Sequence, residues 1–234
     1  ISEIIPVKEF SDNEYLVMVT KNGIIKKTPA SEYESIRKSG KIAITLKEGD
    51  ELISIFKTTG NDNIFLATRN GMAICFNEND ARAVGRTASG VKAIDLADGD
   101  YVVGAEPVRE DSKVLLVTDG GYGKCTDLTS FRIQHRGGKG LKAYKITEKT
   151  GNIIGISMVN DSEELIMVTS EGVVIRIRIK DIATTTGRIT QGVRLINLDD
   201  GVTVVSMDKI SAEDAVEEES EENNTEVTTE TTEE

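Results

Sequence analysis

Apolar and polar positions follow a pattern that repeats four times along the 234-residue chain. Each copy opens with an apolar run that ends in a threonine, followed closely by a glycine and a second, partly apolar run. The four threonines are Thr20, Thr68, Thr118 and Thr169. Their spacings of 48, 50 and 51 residues define a repeat of about fifty residues, which is typical of propeller blades.

The opening of each copy predicts a β-hairpin. In the first two copies the turn is Asn22-Gly23 or Asn70-Gly71. An Asn-Gly pair favours a type I′ turn, with φ > 0 at both central residues. The other two copies keep the glycine, at Gly121 and Gly172. Because the first strand of each hairpin is apolar almost throughout, we expect it to be buried on both faces.

The second half of each copy predicts two more strands. Period-two alternation over residues 40–46, 90–96, 140–146 and 192–198 is typical of a strand with one wet face. After a turn, a fourth strand follows at residues 52–56, 101–105, 153–158 and 203–207. The third copy carries two extra residues before this turn, within residues 147–150. Four strands per repeat predict an all-β, propeller-like array of four-stranded blades; a stacked solenoid is the alternative, but its repeats are usually shorter or helical.

Charge is unevenly distributed. The chain carries 40 acidic and 28 basic residues, a net charge of −12, but eleven of the acids and none of the bases fall in residues 211–234. Residues 1–210 therefore hold 29 acids and 28 bases. We expect blades at about residues 1–61, 62–111, 112–162 and 163–210, followed by a disordered acidic tail over residues 211–234. Anions must be recognised by the arrangement of cations, not by net charge.

A basic connection joins the two halves of each copy. Arg86, Arg136 and Arg188 each lie four residues before the glycine that starts the second half, and Arg37 lies three before it. A cation repeated at one place in every blade forms an arc, which suits the phosphates of a bent duplex. With the cations of the hairpins and second halves, the candidate phosphate contacts are Lys26, Lys27, Arg37, Lys38, Lys41, Arg82, Arg86, Lys92, Lys124, Arg132, Arg136, Lys139, Lys142, Arg176, Arg188 and Arg194.

The most basic of these connections contains a glycine-rich segment, residues 134–140, which we call the heptad. Its members are Gln134, His135, Arg136, Gly137, Gly138, Lys139 and Gly140, and all seven are candidate anion contacts. Glycines allow the backbone to approach another surface, and neighbouring arginine and lysine side chains suit phosphate oxygens. A solvated surface turn is the structural alternative.

Other chemistry finds little support in the sequence. Two cysteines, Cys75 and Cys125, lack metal-site spacing and occupy equivalent places in different copies, so we expect them to be unbonded apolar fillers. His135 is the single histidine, which disfavours a catalytic triad or a histidine metal site. With neither a P-loop nor a dinucleotide fingerprint, we expect no cofactor and no metal. The chain has no apolar run of membrane-spanning length and no signal peptide, so we expect no membrane partner and a cytoplasmic setting.

These residues resemble a known family, the C-terminal domain of the A chain of DNA gyrase, together with its relative in topoisomerase IV. The heptad is similar to that family's basic box, with His135 at its second position. Supporting motifs lie at residues 5–7, 23–27, 40–44, 49–53, 121–124 and 190–193. The resemblance implies a β-pinwheel, a disc of blades that exchange strands, with double-stranded DNA wrapped around its basic rim largely without regard to sequence.

The resemblance also implies a larger assembly. The partners would be the rest of the gyrase A chain, which holds the catalytic tyrosine, and the gyrase B chain, which holds the ATPase, so this chain would not be catalytic alone. DNA wrapping would support ATP-dependent negative supercoiling in the bacterial cytoplasm, associated with the nucleoid. The equivalent domain of topoisomerase IV and a protein-interaction propeller without a DNA role are the alternatives.

The position of the heptad departs from the family pattern. In the family the box lies in the first of six blades, whereas here the heptad lies in the third of four copies. The chain also lacks an initiator Met, and we expect it to be a fragment that holds the last four blades. The heptad is then a box-like copy in the fifth blade; a protein with four blades is the alternative. Four blades are compatible with a closed disc or an open crescent.

Overall fold

The computed structural model describes residues 4–7, 9–35 and 38–211. Apart from Ser211, the predicted acidic tail lies outside the described residues. The strands are β1 (Tyr15–Thr20), β2 (Ile24–Pro29), β3 (Leu52–Thr58), β4 (Asn63–Thr68), β5 (Met72–Asn77), β6 (Val91–Lys92), β7 (Val102–Pro107), β8 (Lys113–Thr118), β9 (Tyr122–Asp127), β10 (Leu141–Lys142), β11 (Ile153–Val159), β12 (Glu164–Thr169), β13 (Val174–Arg178), β14 (Thr184–Thr185), β15 (Val193–Arg194) and β16 (Val204–Ile210). Short 3₁₀ helices span Ala30–Tyr33, Glu78–Asp80, Leu128–Ser130 and Ile179–Asp181.

These strands form four small sheets, one for each copy of the repeat. From inside to outside the strand orders are β3-β1-β2-β6, β7-β4-β5-β10, β11-β8-β9 with both β14 and β15 on β9, and β16-β12-β13. The all-β, propeller-like architecture predicted from the sequence is confirmed. The outermost strand of each of the first three sheets comes from the next copy along the chain, so neighbouring copies are interlocked.

The period-two segments behave differently from the prediction. Only two residues of each form ladder pairs, as β6, β10 and β15, and residues 41–47 form no strand. The prediction of a full strand within the same blade was wrong because the segments of the second, third and fourth copies cross to the neighbouring sheet, and the first segment, residues 40–46, joins no sheet among the described residues. There Val91 pairs with Ile25, Leu141 with Ala73 and Val193 with Gly123.

The hairpin turns also differ from the predicted type I′ geometry. The glycine alone has φ > 0 (+76° at Gly23), since Asp111 is the single described non-glycine residue with positive φ. The Gly23 N–H donates to the Thr20 carbonyl at 3.0 Å, and the Thr20 hydroxyl accepts from the Ile24 N–H at 3.2 Å. The same two bonds recur at Thr68, Thr118 and Thr169, which explains why a threonine ends each first strand.

Glycines also mark where one copy meets the next. Gly90, Gly140 and Gly192 have positive φ and lie so close to the neighbouring strand that a Cβ atom would overlap its backbone carbonyl group. Gly40 has the same positive φ, +75°, but a Cβ there would meet open space. Within the described residues, Gly40 is thus the start of a donor segment that has no acceptor strand.

The opposite end of the array has an open acceptor strand. The outer edge of β13 carries no donated strand among residues 4–7, 9–35 and 38–211, and Val173 and Val174 are exposed. Burial of the first strand on both faces is confirmed for β1, β4 and β8. It is wrong for β12, where buried positions alternate with partly exposed ones because no further sheet covers that face within the described part of the chain.

The hydrophobic core lies between adjacent sheets. Three apolar clusters fill the three interfaces; the first, for example, joins Val17 and Ile25 of the first sheet to Ile64 and Phe76 of the second. The inner strands β3, β7, β11 and β16 line a common cavity of about 630 Å³. Inner strands therefore face the centre of the array, and donated strands lie at its rim.

Candidate nucleic-acid interface

The outermost strands carry one cation each at the same place in the repeat. Lys92 ends β6, Lys142 ends β10 and Arg194 ends β15, and all three are exposed. Each lies on a strand donated to the preceding sheet, two residues after the glycine that starts the donor segment. The structure therefore brings these three predicted candidates to the rim in successive copies.

The three arginines that lie in register connect neighbouring copies. Arg86 Nη1 donates to the Ile42 carbonyl at 3.2 Å, Arg136 Nη1 donates to the Lys92 carbonyl at 2.9 Å, and Arg188 Nη1 donates to the Lys142 carbonyl at 3.3 Å. All three side chains are partly exposed. Because a guanidinium has five N–H donors, each retains donors for a further acceptor.

The heptad lies across the junction between the second and third copies. The Gln134 N–H donates to the Cys75 carbonyl at 2.8 Å, and the Gly137 N–H donates to the Ala93 carbonyl at 2.6 Å. Arg136 also donates through Nε to the Asp80 carbonyl at 2.7 Å. The heptad thus acts partly as an internal connection between copies, a role that neither interpretation of the sequence included.

Some heptad groups face solvent. Gly138 and Lys139 are exposed, and the His135 side chain is 98% exposed, with Nδ1 3.2 Å from Asp80 Oδ2. The hydrogen bond from Lys92 holds the pKa of Asp95 below its ordinary value, and Lys139 adds to this effect. Gln134 Nε2 is buried without a hydrogen-bond partner among the described residues.

Three predicted contact residues are buried. Lys26 and Lys124 donate to backbone carbonyl groups inside the array. Lys27 Nζ lies 3.0 Å from Glu78 Oε2, whose side chain is fully buried. All three lysines are inaccessible to a surface ligand because each is less than 5% exposed. Their burial contradicts the prediction that they contact phosphate, because Lys26 and Lys27 lie on β2 and Lys124 lies on β9, and neighbouring elements cover both faces of each strand at these positions.

The other predicted cations are spread over the surface. Lys38, Arg82 and Arg132 are exposed; Lys41 donates to the Glu32 carbonyl at 3.1 Å; and Arg176 forms an ion pair with Glu164 across the β12–β13 hairpin. Arg37 lies outside the described residues.

One basic residue near the rim was not predicted from the sequence. Lys149 lies in the two-residue expansion of the third copy, with its ammonium 5.6 Å from the centre of the Tyr122 ring. Arg194 donates to the Tyr122 hydroxyl through Nη2 at 3.0 Å. Hydrogen bonding from Arg194 above all, and then from Lys149, holds the pKa of Tyr122 below its ordinary value. The two extra residues of the third copy were the signal available in the sequence, because an insertion in one copy adds side chains that the other copies lack.

The remaining sequence expectations concern sulfur, metals and membranes. Cys75 and Cys125 are free and buried, and burial raises the pKa of each thiol to about 11, as expected for unbonded fillers. Across the described part of the chain, no group of three or more His, Cys, Asp and Glu side chains could hold a metal ion. No helix among those residues is long and apolar enough to cross a membrane.

Comparison with protein families gives one match that covers most of the chain. The model of the DNA gyrase C-terminal domain, a β-propeller, matches residues 14–59, 62–109, 112–160 and 163–211. Among relatives, the A chain of DNA gyrase from Halalkalibacterium halodurans is 56% identical over 214 residues, and that from Clostridium acetobutylicum is 48% identical over 215. Each alignment covers 92% of this chain but 26% of the relative, so the chain spans about a quarter of these proteins.

Solved structures give the same answer. The crystal structure of the C-terminal domain of DNA topoisomerase IV superposes with a TM-score of 0.85 and 29% identity, over 95% of this chain and 69% of that one. A DNA gyrase A C-terminal domain gives a TM-score of 0.78 and 26% identity, over 87% and 68% of the two chains.

Proposed function

Because the chain belongs to the DNA gyrase C-terminal domain family, we propose that it binds double-stranded DNA and bends it around the outer rim of its sheets. The observation that carries the proposal is the position of Lys92, Lys142 and Arg194. Strand donation places these exposed cations on the outermost strands of three successive sheets. A duplex that follows the rim would meet a cation at each copy.

The proposed contacts are with phosphate groups. Lysine and arginine neutralise phosphates without reading bases, so binding should be largely independent of sequence. Arg86, Arg136 and Arg188 would add their free donors beside each donated strand. The proposed contact set also includes the exposed cations Lys38, Arg82, Arg132, Lys139 and Lys149 and the exposed side chain of His135, and it omits the buried Lys26, Lys27 and Lys124.

We further propose the role of this domain in a larger enzyme. Wrapped DNA would be presented to the remainder of the gyrase A chain and to the gyrase B chain, supporting ATP-dependent negative supercoiling in the bacterial cytoplasm. The catalytic tyrosine and the ATPase would belong to those other parts, and this domain would contribute binding alone. The relatives named as the A chain of DNA gyrase, of which this chain spans about a quarter, support this assignment.

The first prediction concerns the salt dependence of binding. Affinity for a duplex of at least about a hundred base pairs is measured between about 50 and 200 mM salt, where the logarithm of affinity should fall linearly with the logarithm of salt concentration. The expected slope is about −0.9 per phosphate contacted. Replacing Lys92, Lys142 and Arg194 together by alanine should make the slope less negative by about 1 per lost contact, equally for DNA duplexes of unrelated sequence.

The control for this prediction is Lys57→Ala. Lys57 lies on the inner strand β3 and pairs with Glu14 at 2.7 Å, so its loss removes the same charge as one rim lysine but leaves the rim intact. A triple variant with the wild-type slope would contradict the proposal. Rim variants that lose a protein partner but keep DNA affinity would instead favour an interaction propeller.

A further inference from the structure

Two buried lysines hold the loops that carry rim arginines. Lys26 lies on β2 and Lys124 on β9, each six residues after the threonine that ends the preceding strand. Lys26 is 1% exposed and Lys124 is fully buried. A buried ammonium group carries a desolvation cost, so an internal charge without an acidic partner in contact calls for a specific role.

Each ammonium group reaches into the following copy of the repeat. Lys26 Nζ donates to the carbonyl group of Ala43 in its own copy and to that of Arg86 in the following copy. Lys124 Nζ donates to the Arg188 carbonyl at 2.5 Å and to the Thr190 hydroxyl at 3.1 Å. In both cases one acceptor is the backbone of the arginine that lies four residues before the donor glycine. We call residues 81–90 the Arg86 loop and residues 183–192 the Arg188 loop.

In the second copy the corresponding loop is held in place by a different contact. The equivalent position in this copy is Ile74, which has no group to donate. There the following loop, the heptad, is fixed by its own side chain: Arg136 donates to the carbonyl groups of Asp80 and Lys92. A lysine is thus present where the loop's own arginine makes a single backbone bond, and an isoleucine is present where the arginine makes two.

We propose that Lys26 and Lys124 are positioning residues, which fix the Arg86 and Arg188 loops so that these arginines face the DNA backbone. The inference rests on the proposed DNA-binding function. Without the ammonium, the loop carbonyl groups would be buried without a donor, and the loop would open to satisfy them with water. The free guanidinium donors of Arg86 and Arg188 would then lose their orientation.

The first test needs no DNA. Trypsin cleaves after Arg86 and Arg188 only when those loops open, and the initial cut sites are identified by mass spectrometry on the folded chain. Lys26→Met should speed cleavage after Arg86 at least about tenfold and leave Arg188 unchanged. Lys124→Met should do the reverse, and the heptad, next to Ile74, should be unaffected in both. The proposal would be overturned if the paired loop stayed as resistant to trypsin in each variant as in the wild type, or if all three loops lost their resistance equally.

Near-isosteric methionine is chosen to preserve packing, and folding is checked by circular dichroism. Should a methionine variant fail to fold, Lys→Gln at the same position keeps a donor on a shorter side chain, and the same loop-selective pattern at reduced amplitude is expected. Lys→Arg keeps the charge and should restore protection of the paired loop. A folded Lys→Met or Lys→Gln variant that leaves the cleavage pattern of the wild type unchanged would count against the proposal.

The second test uses DNA affinity. If Lys124 acts through Arg188, Lys124→Met should weaken binding about as much as Arg188→Ala, and the double variant should be no weaker than either. When Lys124→Met is combined with Arg136→Ala, the losses of binding free energy of these two variants should instead add. Additive losses for Lys124 and Arg188 would overturn the positioning role. Absence of salt-dependent binding by the wild-type chain would sink the proposed function instead, leaving the cleavage result to stand by itself.

Discussion

At the scale of single residues, charged side chains are buried in the interior of this protein, and they differ in how their charge is balanced. Lys27 pairs with the buried carboxylate of Glu78, which also accepts from the backbone N–H groups of Gly60 and Asp62 at 2.9 and 2.7 Å. Lys124, in contrast, contacts carbonyl and hydroxyl oxygens, with Tyr144 on one side. A charge surrounded by neutral acceptors is sensitive to its own protonation state.

Stability should therefore depend on pH in a defined direction. Burial lowers the pKa of Lys26 and Lys124 to about 8, from 10.5. The charges of Arg86 beside Lys26 and of Arg188 beside Lys124 contribute to this lowering of the pKa, and Glu32 opposes it at Lys26. Between these values the unfolded chain binds more protons than the folded one, so the stability contributed by these groups rises with pH.

This difference is measured by urea unfolding at about pH 7.5 and pH 9, on either side of the folded-state pKa. The unfolding free energy of the wild type should increase relative to that of the Lys26→Met/Lys124→Met double variant. Burial raises the pKa of Cys75 and Cys125 from 9.0 to about 11, which has the opposite effect on stability from about pH 9 upward, but both proteins contain these cysteines, so their effect cancels in the difference. Parallel behaviour of the two proteins would show that the lysines do not titrate in this window.

At the scale of elements, the donated strand is the feature that joins the copies. It consists of a glycine with positive φ followed by two residues that pair with a neighbouring sheet. Gly140 and Gly40 share this conformation, at +74° and +75°, but only Gly140 approaches an acceptor strand closely. A substitution at Gly40 therefore measures the free-energy cost of the left-handed backbone conformation alone, whereas a substitution at Gly140 also measures the cost of steric overlap.

Alanine substitutions at these two glycines should differ in stability. Gly40→Ala introduces the left-handed strain of about 1–2 kcal/mol, offset in part by lower entropy of the unfolded chain. Gly140→Ala adds overlap with the Ala73 carbonyl group, for a further cost of about 1–3 kcal/mol. Urea midpoints at equal m-values measure the difference. Equal midpoints would mean that β10 and β5 separate without cost.

The elements themselves were largely predictable from sequence, but their pairing was not. The threonine period and the apolar runs located the hairpins, and the fourth strands begin within one residue of their predicted positions. Period-two alternation over residues 90–96 indicated a half-exposed segment, yet it carries no information about which neighbour accepts it. The strand exchange came from resemblance alone. Rim positions such as Lys92 were found because they repeat, whereas the burial of Lys26 and Lys124 depends on loops some sixty residues further along the chain.

At the scale of the whole molecule, interlocking makes the copies mutually dependent. Each of the first three sheets is completed by the next copy, and each core cluster is shared by two sheets. A copy that unfolded would expose the core of its neighbour and leave an acceptor strand without its partner. This arrangement couples nearest neighbours more strongly than stacking does.

Residues 14–211 should therefore unfold in a single transition. In calorimetry we expect the van't Hoff enthalpy to equal the calorimetric enthalpy, as for a two-state domain. Two or more resolved transitions, or a van't Hoff enthalpy near a quarter of the calorimetric value, would show that the copies unfold independently. The comparison is best made without DNA, since a ligand shared by several copies would add its own coupling.

Strand donation also fixes a sequence of events during synthesis. The β5 strand ends at Asn77, but the β10 strand that covers its edge ends at Lys142, sixty-five residues later. At about 5–20 residues per second, the ribosome needs roughly 3–13 s to supply it. Throughout that interval the nascent chain presents an unpaired strand edge that other chains can join. Each of the first three copies, once made, waits in this state for its successor, so translation speed sets how long these sheets stay exposed.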